Sequence, residues 1–412
     1  MSGGEQTRNR ALVGITTAAA ALIHVSISIS EFLLGVALLL LLLFRWRLRC
    51  PRIWIPLAGF FLWTILADLV SPDPWLGRAQ VKKLVLFFFI PVVYTVFVRQ
   101  LQKAFYLLIA WTATATASAL LGFEQFIQKY ETARRTGENF YVTYVGHRIT
   151  GFESHWMTFG ALQLSVLCLI LAHLFFSERR MPSWLSWSAV AILSVSILLG
   201  ETRSIWLASV VAVLYLVWCW RPKMVLALPL IGVLAFAFAP SATRERLTSV
   251  FSPHGETDSN RHRVVTFSTG LRMVTAHPLF GIGPEQIGRQ FDRYVPSDIR
   301  RPLPVGYYGH LHNIYLQYAA ERGLPGLLFI LSAIGLALWD WGRGILGEGK
   351  GRSLRLFVLH GAVAVTIAVL VGGLLEYNLG DSEVLMMFLS VVGLGYSAIP
   401  PTKRRDSTEG AP

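Results

Sequence analysis

Several long stretches of this chain carry almost no ionisable side chain, and nothing else in the sequence limits its folding as strongly. Phe32 to Phe44, Leu84 to Val98 and Leu356 to Leu375 each approach the length a membrane-spanning helix needs, roughly 20 residues for about 30 Å of hydrocarbon. Hydrocarbon supplies no water to backbone groups, so such segments must close their own hydrogen bonds as helices. With 54% hydrophobic and 15% charged residues, an ordinary soluble domain is excluded. The expected class is an all-α polytopic membrane protein. The pattern predicts about twelve helices, at 11–28, 30–44, 53–70, 82–98, 104–122, 155–176, 184–199, 204–219, 224–239, 323–340, 355–376 and 383–399.

Charge orients these spans. The net charge of +13 is explained by the positive-inside rule, without nucleic acid as a partner. Alternate connections hold Arg45, Arg47, Arg49 and Arg52; Arg99 and Lys103; Arg179 and Arg180; Arg221 and Lys223; and Arg343, Lys350, Arg352 and Arg355. Arg8 and Arg10 precede the first span, and Lys403 to Arg405 follow the last. An even count of twelve puts all of them on one side, which makes both termini cytoplasmic. The first helix reads as an uncleaved span because many more follow it. Cys50, Cys168 and Cys219 lie in or beside apolar runs without metal-ligand spacing, and no disulfide framework is expected.

The opposite side receives short links near 71–80, 200–203 and 377–382, and two long ones, about 123–154 and 240–322. The resulting organisation is helices one to nine over 1–239, a large exported loop over 240–322, three helices over 323–400, and a cytoplasmic tail over 401–412. Long ordered loops are commonly functional.

Residues 240 to 311 run against the charge rule. They contain Arg244, Arg246, Arg261, Arg263, Arg272, Arg289, Arg293, Arg300 and Arg301, and no lysine. The guanidinium fork grips phosphate or carboxylate bidentately and stays charged in any surroundings. An anionic ligand such as a lipid phosphate follows. Local acids will take some of these arginines, as Glu285 and Arg289 would at i,i+4 on a short helix. Asp258, Ser259 and Asn260 offer capping residues for a helix running to about Ala276, with Val264, Phe267, Leu271 and Val274 as its apolar stripe. Arg261 and Arg263 then fall in its first turn, where free N–H groups favour an anion, and His277-Pro278 ends it.

Two further features point to the same side. His310 and His312 stand where the chain returns to the membrane, and histidine is the natural proton carrier near neutral pH. Glu201-Thr202-Arg203-Ser204 joins two spans there, so Arg203 can reach the region; Arg78, Lys82 and Lys83 also lie on that side.

The runs Arg263…His277-Pro278-Leu279-Phe280-Gly281-Ile282-Gly283-Pro284 and His310-Leu311-His312-Asn313-Ile314-Tyr315-Leu316-Gln317…Glu321-Arg322-Gly323-Leu324-Pro325-Gly326-Leu327 resemble the signature of the O-antigen ligase and polymerase superfamily. Thr202-Arg203-Ser204 is similar to that family's earlier arginine motif. The likeness covers about residues 200 to 330; Phe267 stands where the family often has tryptophan. The resemblance implies a membrane-embedded glycosyltransferase of the GT-C type with its large helical loop and active site on the periplasmic face of the bacterial inner membrane. Its partners would be an undecaprenyl-pyrophosphate-linked glycan donor, a lipid A–core acceptor in the ligase branch, and membrane lipids. Carried over by position, Arg203 and Arg263 would hold the pyrophosphate, with Arg261 and Arg272 as further candidates, and His312 or else His310 would be the general base. The loop has no Asp-x-Asp pair, so metal-independent catalysis without a cofactor is expected, inverting if the acceptor attacks directly. A polymerase or protein-directed oligosaccharyltransferase using the same donor is the nearest alternative. A transporter or flippase would instead place its charges near the bilayer midplane.

Overall fold

The computed structural model describes residues 3–178, 181–227, 232–233, 236–238, 244 and 259–399. Its described residues form helices and no strand. Among the described residues, six helical stretches are long and apolar enough to cross a membrane: 74–97, 101–136, 156–176, 203–220, 314–348 and 354–372. Four apolar helices are shorter, at 27–43, 54–69, 183–199 and 382–397. Ten of the twelve expected spans thus have an apolar helix at their position. The first expected span, 11–28, overlaps α1 (Gly3–Ala21), which is in neither group, and runs past its end. Residues 228–231, 234–235 and 239 of the span expected at 224–239 lie outside the described residues, as do Arg246, Asp258 and the tail.

The remaining helices are α2 (Ile27–Leu43), α3 (Trp54–Leu69), α4 (Pro74–Lys83), α5 (Phe89–Phe97), α6 (Ala104–Thr136), α7 (Phe140–Gly146), α8 (Trp156–Phe176), α9 (Ser183–Leu199), α10 (Arg203–Trp220), α11 (Ser259–Ala276), α12 (Ile287–Tyr294), α13 (Ile314–Glu348), α14 (Leu354–Gly372) and α15 (Ser382–Ser397). A 3-10 turn joins α4 to α5, so that span begins eight residues before its expected start at 82. α8 is apolar on every face and sits at the centre, packed on α14 and α10, as an all-round hydrophobic helix should be. α15 lies against α5, and α13 against α3.

The expected loop over 123–154 is largely helical. α6 runs on to Thr136 through Glu124, Gln125, Gln128 and Glu131, residues that favour helix. A Glu131–Arg135 pair at 3.2 Å supports its last turns, and Gly137, at φ +71°, ends it in the left-handed conformation of a helix stop. Tyr144 of α7 then donates to the Leu199 carbonyl at 2.6 Å, folding this segment onto the end of α9.

α13 decides where the large loop meets the bundle. Two helical segments meet within it at Gly323 (φ 69°, ψ 177°), and Pro325 follows in the first turn of the second. The expected span start at 323 coincides with this kink, and a further helical segment precedes it. Only glycine fits there: a Cβ would lie 1.9 Å from the Leu279 carbonyl oxygen. The opened turn is closed from outside. Trp63 donates its indole N–H to the carbonyls of Arg322 (2.9 Å) and Leu279 (3.2 Å), and Leu324 N–H reaches the Pro278 carbonyl (2.8 Å). Ile282 and Gly283 donate to the Ala320 and Glu321 carbonyls, so residues 278–283 lie along the kink. Buried beneath, Arg322 binds Glu321 at 2.5 Å, Thr64 at 3.2 Å and Gln80 at 3.3 Å. A buried pair survives in an apolar bundle only when its remaining polar atoms find partners like these.

Residues 259–320 hold a second small core, in which Val265, Met273 and Val274 of α11 meet Phe291, Leu311 and Leu316. The expected stripe on α11 is only partly its packing face. Val274 is buried, while Val264, Phe267 and Leu271 are 63%, 52% and 50% exposed. The expected Glu285–Arg289 pair does not form. Glu285 sits at φ +62° before α12 begins, which removes helical i,i+4 spacing. It accepts instead from the Gln80 amide, and Arg289 pairs with Asp73 at 2.6 Å.

Candidate active site

His312 directly precedes Asn313, the cap of α13. Asn313 caps that helix through the Leu316 N–H and also donates to the Leu374 carbonyl at 2.9 Å. Ile314 N–H reaches the Gly373 carbonyl and the Tyr315 hydroxyl reaches that of Leu370. Three bonds thus tie the start of α13 to the end of α14, and the chain leaving α14 brings Glu376 to His312.

Glu376 is the hub. One carboxylate oxygen accepts from Arg263 at 2.6 Å; the other is 3.3 Å from His312 Nδ1. The carboxylate is only 6% exposed. Burial raises its pKa, but the His312 hydrogen bond and the Arg263 and His312 charges outweigh burial and leave it below the ordinary carboxyl value. It is therefore ionised at neutral pH, and an ionised carboxylate can only accept, so His312 Nδ1 carries the proton facing it. In the neutral ring this places the lone pair on Nε2, which faces the Tyr307 carbonyl at 3.3 Å; in the imidazolium Nε2 donates to that carbonyl. His312 itself is held at φ +50°, a conformation a non-glycine residue adopts at a cost of order 1–3 kcal/mol and found mainly at functional positions.

His310 packs edge-on against it, with ring centroids 4.1 Å apart. Its Nδ1 accepts the His312 backbone N–H at 3.4 Å, which puts the proton of the neutral ring on Nε2. Burial and the neighbouring His312 push its pKa down to about 4, so the ring is neutral near pH 7. His262, one turn into α11, is buried with its ring 5.0 Å from His312 and is likewise pushed down to about 4, chiefly by burial.

Arg203, at the start of α10, donates to Asn260 at 3.1 Å. Asn260 is three residues before Arg263 on α11, so both guanidinium groups meet the first turn of that helix on one side. The structure thus gathers Arg203, Arg263, His310 and His312. Arg261 and Arg272 are placed differently. Arg261 is two residues from Arg263 and Arg272 nine, so both project from the opposite, exposed face, beside Val264 and Leu271. Arg78 lies 3.8 Å over the Trp75 ring, and Lys83 donates to the Gly380 carbonyl at 2.5 Å.

Glu376, His262, His155 and Asp381 were not singled out by sequence reasoning. Glu376 had a signal: an acidic residue at the end of an expected span, on the same side as the arginines. Its pairing spans 113 residues to Arg263, and no local pattern encodes that. Among the described residues, no group of three or more His, Cys, Asp or Glu is arranged to hold a metal ion.

Fold and site together define a polytopic helical membrane protein with a polar, partly buried constellation at one end of its bundle. Residues 188–331, about a third of the chain, match the family described as O-antigen ligase. The matched stretch contains Arg203, Arg263, His310 and His312, and stops before Glu376. It points to a membrane enzyme of the ligase or polymerase kind. No curated protein matches the chain.

Proposed function

We propose that this protein is an O-antigen ligase. It would transfer a glycan from undecaprenyl pyrophosphate to a sugar hydroxyl of lipid A–core on the periplasmic face of the inner membrane, without a metal. The observation that carries this reading is His312 and Arg263, both within the family-matched stretch, held together by Glu376 from outside it.

In the reaction, the acceptor oxygen attacks the anomeric carbon of the donor's first sugar while the bond from that carbon to the pyrophosphate oxygen breaks. The acceptor proton passes to His312 Nε2, and the electron pair leaves with the pyrophosphate. Glu376 on Nδ1–H, and the Tyr307 carbonyl facing Nε2, stabilise the imidazolium that results. His310 is the weaker base, because its ring donates from Nε2. Arg263, paired with Glu376, and Arg203, bonded to Asn260, bring two fixed positive charges to the leaving pyrophosphate. Direct attack inverts the anomeric carbon. Arg261 and Arg272, flanking an exposed apolar stripe, fit the headgroup layer of a membrane surface.

Deleting the gene and resolving the lipopolysaccharide on a gel tests the reading. Loss of the ladder with intact lipid A–core and accumulated carrier-linked polymer is expected. A core bearing a single repeat unit indicates the polymerase instead. Loss of transfer by purified protein on chelating divalent ions overturns the metal-free mechanism.

A further inference from the structure

Beside the candidate base is a cavity that the arginines do not line. Its volume is about 210 Å³, and its wall includes His155, His310, Glu376, Tyr377, Asn378 and Asp381. At about 30 Å³ per water it has room for about seven waters. That is the space of one sugar ring and below the usual range of a whole-ligand pocket.

The wall chemistry excludes an anion. Glu376 and Asp381 bring two carboxylates, and no lysine or arginine is among the lining residues. Lys83 stands behind, bonded to the Gly380 carbonyl, and Arg263 is engaged by Glu376. Carboxylates, an amide and neutral imidazoles are acceptors and donors for hydroxyl groups. Asn378 is only 8% exposed, and its Oδ1 has no hydrogen-bond partner among the described residues. Asp381 accepts from Thr158 at 2.7 Å, and His155 caps α8 by accepting the Met157 N–H at 3.2 Å, so two elements hold the wall in place.

We propose that this cavity binds a single uncharged sugar ring beside His312, and so separates the sugar subsite from the arginine-lined pyrophosphate subsite. The proposal rests on the transferase reading for its place in catalysis, but its ligand chemistry stands on the cavity wall. The ring could come from the acceptor core or from the donor's first residue.

NMR on the full-length protein in detergent distinguishes these sources with three probes: lipid-free core oligosaccharide and the repeat-unit glycan without its carrier, read by saturation transfer to their protons, and inorganic pyrophosphate, read by ³¹P line broadening. Two variants are compared with the wild type. Asp381→Asn removes a charged acceptor. His155→Asn removes the ring but keeps a good helix cap. Both variants should weaken one of the two saccharides about tenfold, the effect of losing one hydrogen bond to a charged or buried group. Loss for the core oligosaccharide assigns the cavity to the acceptor; loss for the repeat-unit glycan assigns it to the donor sugar. The proposal is overturned if neither saccharide binds the wild type, if both variants fold and bind saccharides as the wild type does, or if pyrophosphate is the probe they lose. Saccharide binding without transfer by the wild type sinks the ligase reading and leaves the cavity standing. Transfer by a wild type whose saccharide affinity neither variant changes does the reverse.

Discussion

At the scale of single residues, the proposed chemistry turns on which ring nitrogen is available. Glu376 holds the Nδ1 proton of His312, and Arg263 helps keep Glu376 ionised. His312→Ala should lower transfer by about 10²- to 10⁴-fold, the usual worth of a positioned base, while donor binding persists. Glu376→Gln removes the anion that fixes the tautomer and should cost about 10²-fold or more; Glu376→Asp should recover part of that. Turnover assays with measured donor affinity check both, and near-wild-type turnover in His312→Ala would eliminate it as the base. A second residue-scale expectation concerns pH. An unfolded histidine titrates near 6.5, whereas burial pushes His262 and His310 to about 4 in the fold. Between those values the unfolded chain binds protons that the folded chain excludes, so stability falls as pH drops from about 6.5 towards 4. Above that window these two histidines contribute no slope. Melting in detergent from pH 7 to pH 5 should show the decline, and His262→Gln should flatten it; an unchanged slope in that variant would refute the attribution.

At the scale of elements, the kink in α13 is the joint between loop and bundle. Gly323 allows the 278–283 segment to lie against the opened turn, and Trp63 and Leu324 satisfy the carbonyls there. Gly323→Ala places a Cβ against Leu279 and forces a strained φ, so it should destabilise by about 1–3 kcal/mol. Thermal unfolding measures this, with the exposed Gly347→Ala as a control whose added Cβ meets nothing within 4 Å. Equal melting of the two variants would remove the kink from the account. The same joint explains what was legible locally. Gly323 and Pro325 announce a break in any helical pattern, and the expected span began there. That the preceding turn is also helical, and buried with Glu321 and Arg322, depends on Thr64 and Gln80 from distant helices. Likewise, the apolar periodicity of α11 was visible, but Val264, Phe267 and Leu271 face outward because the small core takes Val265, Met273 and Val274.

At the scale of the whole molecule, the chain is a bundle whose two ends differ in chemistry. One end gathers Arg203, Arg263, His310, His312 and Glu376; the other holds Arg52 paired with Asp340. If the positive-inside reading is right, a cysteine replacing Asp298 should react with an impermeant thiol reagent from the periplasm, and one replacing Lys350 should not. The background would have Cys50, Cys168 and Cys219 replaced by serine, and the opposite labelling pattern would invert the topology. The sequence alone determined the membrane class, most helix positions, the arginine-rich loop and the histidines at its return, because hydropathy, periodicity and charge asymmetry are local properties that one strand of text records. Tertiary structure decided the rest: that Glu376 joins His312 to Arg263, that Arg261 and Arg272 turn away, and that a small polar cavity opens beside the site. Those outcomes depend on which helix ends meet in space, and contacts across more than a hundred residues leave no pattern in the chain before it folds.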